Sequence, residues 1–205
     1  MKRRLPSISY ASATDFIHCK LRYRHAVIEG LRVRPQHLPE PIKVSRAWDF
    51  LIRGKYDLGF DPSREIVPLQ LSPVQAAKIK ALDRAFTELE IPTNKDGLLG
   101  CQVRVTTQIL RTNLVGFVDR AYEEHIVESK LSTHPDFYGQ KENVAYQLGT
   151  YFLCDEAWDY AVMEITRVPS LKLKDGEEIE AYEERVYGDI ISRPAHYLLG
   201  WDRKT

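Results

Sequence analysis

The sequence predicts an α/β fold, a mixed central sheet flanked by helices, and three features of the 205-residue chain predict it. The first is a change of hydrophobic period at Gly100. Beyond it, "CQVRVTTQIL", "LVGFVDRAY" and "IVESKL" alternate apolar and polar residues, as half-buried strands do, with turn candidates "RTN" and "EEH" between them. The second is a set of helical repeats before that point, where apolar residues recur every three or four positions. The third is the order after the meander, helix then strand then helix, which places helices against an extended sheet.

Taken in order, "SATDFIHCKLRYRHAVI" reads as a helix capped by Ser12, with Phe16, Ile17, Tyr23, Ala26 and Val27 on its apolar side and a basic outer face. Residues 31 to 43, "LRVRPQHLPEPIK", hold three prolines and form a connector. A second helix starts near Ser45 and runs through Trp48, Leu51 and Ile52. A third begins with Ser72 as N-cap, Pro73 at the first helical position and Gln75 completing a capping box, and it ends before Pro92. After the three-strand antiparallel meander and the loop "STHPDFYGQ", "ENVAYQLGTYFLCDEA" has helical spacing through Val144, Leu148, Tyr151 and Phe152. A strand "WDYAVMEITRV" and a last helix over "DGEEIEAYEERVYGDII" complete the layout. The expectation is a single domain over 1–205, with a helical part at 1–95 and the sheet with its helices at 96–205.

Composition narrows the setting. With 43% hydrophobic residues the chain can bury a core, and no segment approaches the roughly 20 apolar residues that a membrane helix needs. The basic start "MKRRLPSISYASATDF" has no apolar stretch behind it, so a cytoplasmic protein without a membrane span is expected. Cys19, Cys101 and Cys154 are separated and odd in number, which fits reduced thiols. The net charge is zero but unevenly spread: residues 1–55 hold twelve Lys or Arg against four Asp or Glu, leaving the rest equally acidic. That asymmetry suits either a basic surface for a polyanion or solvated faces that simply differ.

The stretch "GFVDRAYEEHIVESK" carries the sharpest chemistry. A two-residue turn on Glu123 and Glu124 sets Asp119 directly opposite Glu128, with Cβ atoms about 5 Å apart, and Lys130 on the same face two residues on. A longer turn shifts this register. Two carboxylates so close repel unless a proton, a cation or water relieves them. A hard divalent ion, Mg²⁺ or Mn²⁺, is one relief, with Lys130 neutralising charge beside it. A solvated hairpin face on which Lys130 pairs with an acid is the other.

The chain resembles the RecB-like branch of the PD-(D/E)XK nuclease superfamily, which includes RecB and AddB nuclease domains and CRISPR-associated RecB-like exonucleases. "SYASATDFIHCKLRYRH" is similar to that branch's N-terminal helix, with Cys19 at its cysteine, and "LVGFVDRAY" to its h-x-G-x-x-D-r strand through Gly116 and Asp119. "IVESK" resembles the (D/E)-x-K strand through Glu128 and Lys130, and "YQLGTYF" the Q-x-x-x-Y helix through Gln147 and Tyr151. The resemblance spans about residues 7 to 165 and implies a restriction-endonuclease-like core. In it Asp119 and Glu128 would hold the metal, Lys130 would assist attack by water, and Gln147 and Tyr151 would face the site.

The chain also departs from the family. The histidine ligand found on an early helix of many members is replaced in "VSRAWDFLIRG" by Asp49, which is either a third metal ligand or a surface acid paired with Arg46 or Arg53. Glu88 is a weaker substitute, and His18 and His25 belong with the basic helix. Relatives that bind a [4Fe–4S] cluster use four cysteines, whereas this chain has three and none after Cys154, so no iron–sulfur cluster is expected in it. Either this branch lacks the cluster or the chain stops before its ligands.

The resemblance therefore implies a Mg²⁺- or Mn²⁺-dependent DNA nuclease, an exonuclease or end-processing enzyme of recombination, repair or phage DNA metabolism. Lys20, Arg22 and Arg24, with Arg32 and Arg34, would track DNA phosphates, and proteins of a recombination or repair complex are possible partners. The rival is a catalytically inactive module that keeps the nuclease fold and binds DNA or serves as an adaptor.

Overall fold

A computed structural model of the chain describes residues 7–31, 33–91, 95–135 and 142–200. It is mixed α/β, with a six-stranded sheet and flanking helices. The strands are β1 (Ser7–Ser9), β2 (Leu98–Ile109), β3 (Thr112–Tyr122), β4 (His125–Ser132), β5 (Tyr160–Arg167) and β6 (Leu198–Leu199). The helices are α1 (Tyr10–His18), α2 (Lys20–Tyr23), α3 (Glu40–Tyr56), α4 (Pro62–Ile66), α5 (Pro73–Glu88), α6 (Glu142–Cys154), α7 (Ile179–Ser192) and α8 (Pro194–Tyr197). Strand order is β1-β3-β4-β5-β6, with β2 also on β3; β1 runs parallel to β3, while β2 and β4 run antiparallel to it. Among the described residues no helix is long and apolar enough to cross a membrane.

The residues fall into two compact units that interleave along the chain. One comprises Met1–Val33, Gly97–Val127 and Gly139–Ala161; the other comprises Arg34–Asp96, Glu128–Tyr138 and Val162–Thr205. The helical part expected over 1–95 is thus shared between them, and β4 passes from one to the other at Val127.

In the first unit the meander forms as its alternation dictates. Val103 and Val105 of β2 and Val118 of β3 lie on the face covered by Leu148, Tyr151 and Phe152 of α6, and with Ala121, Ile126 and Trp158 they make one apolar cluster. Full burial of such side chains is worth about 1.5–3 kcal/mol each. Trp158 keeps its indole N–H satisfied by donating to the Tyr122 carbonyl at 3.1 Å. The other face of β2 bears Gln102, Arg104, Thr106 and Gln108, all exposed.

Several local expectations are corrected. Ser9, not Ser12, caps the first helix: the Ser12 N–H donates to Ser9 Oγ at 3.2 Å and the Ser9 N–H to Ser12 Oγ at 2.7 Å. Both serines carry the right chemistry, and β1, which the sequence reading lacks, fixes the choice by ending at Ser9. The helix is also not continuous. Cys19 is extended, and a π-helical turn over Arg24–Ile28 follows α2. The first hairpin turns tightly on Leu110 and Arg111, with Leu110 at φ 55°, rather than on "RTN".

The second unit gathers α3, α4, α5, α7 and α8. Trp48 and Ile52 of α3, Leu82, Ala85 and Phe86 of α5, and Tyr182, Val186 and Ile190 of α7 are buried at helical spacing, and Trp48 meets Phe86 edge-on at 6.0 Å. Arg84 pairs with Glu184, and Tyr187 donates to Glu88, between α5 and α7. Two further expectations change here. The second helix starts at Glu40, not near Ser45, because Pro41 falls in the first turn, where no backbone N–H is needed. Ser72 does precede α5, but its side chain makes no cap bond, so the Ser72–Gln75 capping box does not form. The short α4, capped by Asp61, as well as α8 and β6, were not foreseen.

Candidate functional site

Strand β3 presents Asp119. One edge of β3 is paired along its length by β2. The other pairs with β1 at Asn113–Val115 and with β4 at Arg120–Ala121. The β3–β4 pairs are Arg120 with Val127 and Ala121 with Ile126, the register that a two-residue turn on Glu123 and Glu124 requires.

Asp119 is half-buried and held from β2, where Gln102 Nε2 donates to its Oδ1 at 2.7 Å. Gln102 has φ 52°, a left-handed backbone that costs a residue other than glycine about 1–3 kcal/mol. The register is unbroken across it, with Cys101 opposite Arg120 and Val103 opposite Val118, so the strained residue stands opposite the candidate ligand.

Gly116, Gln147 and Tyr151 meet as a group. Tyr151 is buried; its hydroxyl donates to the Phe117 carbonyl at 2.8 Å and accepts from Gln147 Nε2 at 2.7 Å. A hydroxyl thus serves a backbone oxygen of β3. The spacing of one helical turn between Gln147 and Tyr151 makes their mutual bond possible. Gly116 is required by this packing, since a Cβ there would stand 2.7 Å from the Tyr151 ring. Beside the group lies a cavity of about 300 Å³ lined by Ser9, Tyr10, Phe117, Gln147 and Tyr151.

The other unit holds Glu128 and Lys130. Glu128 is 2% exposed, an unusual position for a carboxylate, and Lys130 donates to its Oε1. A buried carboxylate beside one ammonium costs far less than an isolated one, because the pair is close to neutral. On the next residue Ser129 donates to Glu164 at 3.0 Å, a second buried polar contact.

The remaining expected residues are dispersed. Asp49 is exposed on α3, next to the fully buried Trp48, while Arg53 pairs with Asp57. Lys20 is exposed near the Phe16 ring; Arg24 donates to Glu29 at 2.8 Å. The side chain of Arg22, and Arg32 altogether, lie outside the described residues. The three cysteines are free thiols, and burial pushes that of Cys154 up. Among the described residues no group of three or more His, Cys, Asp or Glu side chains is placed to hold a metal ion.

Gln102, Phe117 and Tyr10 were missed from sequence. For Gln102 and Phe117 a signal exists: in "CQVRVTTQIL" and "LVGFVDRAY" they share alternation with Arg104 and Asp119 respectively. Tyr10 has none, because only the parallel pairing of β1 brings it beside β3. No family model, curated protein or solved structure matches the chain.

Proposed function

We propose that the chain is a Mg²⁺- or Mn²⁺-dependent DNA nuclease with a PD-(D/E)XK-type core, acting as an exonuclease or end-processing enzyme. The observation that carries the reading is the β3–β4 register, Arg120 with Val127 and Ala121 with Ile126, which is the one the opposition of Asp119 and Glu128 requires. The donor set fits a hard cation: two carboxylates are the share that proteins commonly give Mg²⁺, water completing its shell. Asp119 and Glu128 would hold the ion, and Asp49 is kept as a third ligand only within this proposal. Such an ion, when bound, supplies positive charge that polarises the phosphodiester and makes water a better nucleophile.

The protein's own groups have distinct tasks in this reading. Gln102 fixes the Asp119 carboxylate. Lys130, at present on Glu128, exchanges that partner for the anionic phosphate or the attacking water. Tyr151 and Gln147 hold the β3 backbone two residues from Asp119 and so act as positioning residues. Lys20, Arg22 and Arg24 contribute phosphate contacts, Arg24 by leaving Glu29.

One observation favours the inactive DNA-binding or adaptor module. The Glu128–Lys130 pair already balances the buried carboxylate without a metal. Incubating end-labelled single- and double-stranded DNA with the chain plus Mg²⁺, Mn²⁺ or chelator separates the two. Metal-dependent shortening supports the nuclease, and binding without cleavage supports the module.

A further inference from the structure

The exposed face of β2 and β3 has the makings of a nucleotide subsite. Phe117 is 51% exposed in mid-strand, where alternation alone would place a polar residue. Directly across from it is Arg104, so the two side chains share a face with Cβ atoms about 5 Å apart. Arg104 is exposed and has no carboxylate partner among the described residues. The Phe117 carbonyl meets Tyr151 beside the 300 Å³ cavity on the α6 side, while its ring stands on the exposed face with Arg104. Two residues along β3, on the same face and about 7 Å away, is Asp119.

We propose that this face holds one unpaired nucleotide of a DNA strand, its base stacked on Phe117 and its phosphate paired with Arg104. The inference rests on the nuclease reading only for the identity of the strand. An aromatic ring beside a cation matches the two constant features of a nucleotide, a π-face and an anionic phosphate. A base still inside a duplex cannot stack here, because its neighbours occupy both of its faces. Phe117 and Arg104 would thereby present the neighbouring phosphodiester to Asp119 and set a preference for unpaired ends.

The test is carried out in chelator, where no cleavage intervenes, on the full chain with a single-stranded oligonucleotide bearing 2-aminopurine at its end. Stacking quenches this base, so binding should lower its fluorescence. Phe117→Ala should weaken binding roughly tenfold and abolish the quench, whereas Phe117→Trp should retain both. Arg104→Gln should lower the slope of log affinity against log salt by about 0.7, the value for one phosphate contact on a single strand. A duplex of the same sequence should bind without quenching. The proposal is overturned if the chain does not bind the single strand, if Phe117→Ala matches the wild type, or if the duplex is bound and quenched as strongly. A chain that cuts no DNA but shows the Phe117-dependent quench loses the nuclease reading and keeps the subsite. A chain that cuts DNA with Phe117→Ala indistinguishable from wild type in binding and quench does the reverse.

Discussion

Gln102 donates its side-chain amide to Asp119 at 2.7 Å from a backbone held at φ 52°. A strained residue that holds a carboxylate links local geometry to the chemistry proposed for that carboxylate. Two substitutions separate strain from contact. Gln102→Ala keeps the left-handed backbone and loses the hydrogen bond, a cost of about 1 kcal/mol, or roughly 2–4 °C in thermal midpoint for a chain of this size. Gln102→Gly loses the same bond but relieves about 1 kcal/mol of strain, so its midpoint should stay near the wild type. Both should lower nuclease activity. Equal melting of the two variants would show that the backbone is not strained there.

The Tyr151 hydroxyl bridges Gln147 and the Phe117 carbonyl, while its ring fills the space above Gly116. Tyr151→Phe leaves a backbone oxygen without this donor and should cost about 1–2 kcal/mol by chemical denaturation. Gly116→Ala should cost about 1–3 kcal/mol through overpacking. Combining Gly116→Ala with Tyr151→Leu should cost less than the sum, because the smaller side chain makes room. Strict additivity would mean that the two positions do not share this space.

Glu128 and Lys130 offer a test of the metal that does not depend on cleavage. Lys130→Met removes the ammonium beside the buried carboxylate and should destabilise by about 2–3 kcal/mol, less than is usual for a fully buried pair because the Lys130 side chain is 25% exposed. Mn²⁺ at about a hundred times its dissociation constant should add about 2.7 kcal/mol of stability to the wild type. Adding Glu128→Gln to Lys130→Met should restore much of the lost stability and abolish the Mn²⁺ effect. Thermal scans with and without Mn²⁺ read all three, and no metal-induced shift in the wild type would count against the proposed ligands.

The register of the second hairpin was legible because alternation fixes which residues share a face and a two-residue turn fixes which residues oppose, whereas the first turn, expected on "RTN", fell on Leu110 and Arg111. Thus Arg120–Val127 is the pair that a two-residue turn in "AYEEHIV" requires, a longer turn being the alternative that the structure does not adopt. The helices α5, α6 and α7 were legible for the corresponding reason at a period of 3.6. By contrast, β1 is three residues long, too short for any period, and its pairing with Asn113–Val115 depends on residues a hundred positions away. The Ser9 cap and the Tyr10 contribution to the cavity were lost with it. The left-handed Gln102 was equally hidden, since nothing in its side chain calls for that backbone.

Glu177 supplies a pH dependence remote from the proposed site. The Arg185 guanidinium grips it with two hydrogen bonds of 2.8 Å, the Lys174 backbone amide adds a third, and its carboxyl is held down from 4.5 to about 2. The folded value lies below the unfolded one, so the stabilisation is complete above about pH 4.5 and is lost as pH falls toward 2. Arg185→Gln should melt below the wild type at neutral pH, with the difference narrowing through that acid window. A difference that stays constant with pH would assign the effect of Arg185 to packing.

Cleavage by Asp119→Asn bears most directly on the proposed function. The substitution preserves shape and removes one charged ligand, so the variant should melt near the wild type while Mg²⁺- or Mn²⁺-dependent shortening of end-labelled DNA falls by roughly a hundredfold or more. Wild-type cleavage that disappears in chelator, together with a folded and inactive Asp119→Asn, is the result this account predicts. Undiminished cleavage by the folded variant, or no cleavage by the wild type with either metal, would contradict it.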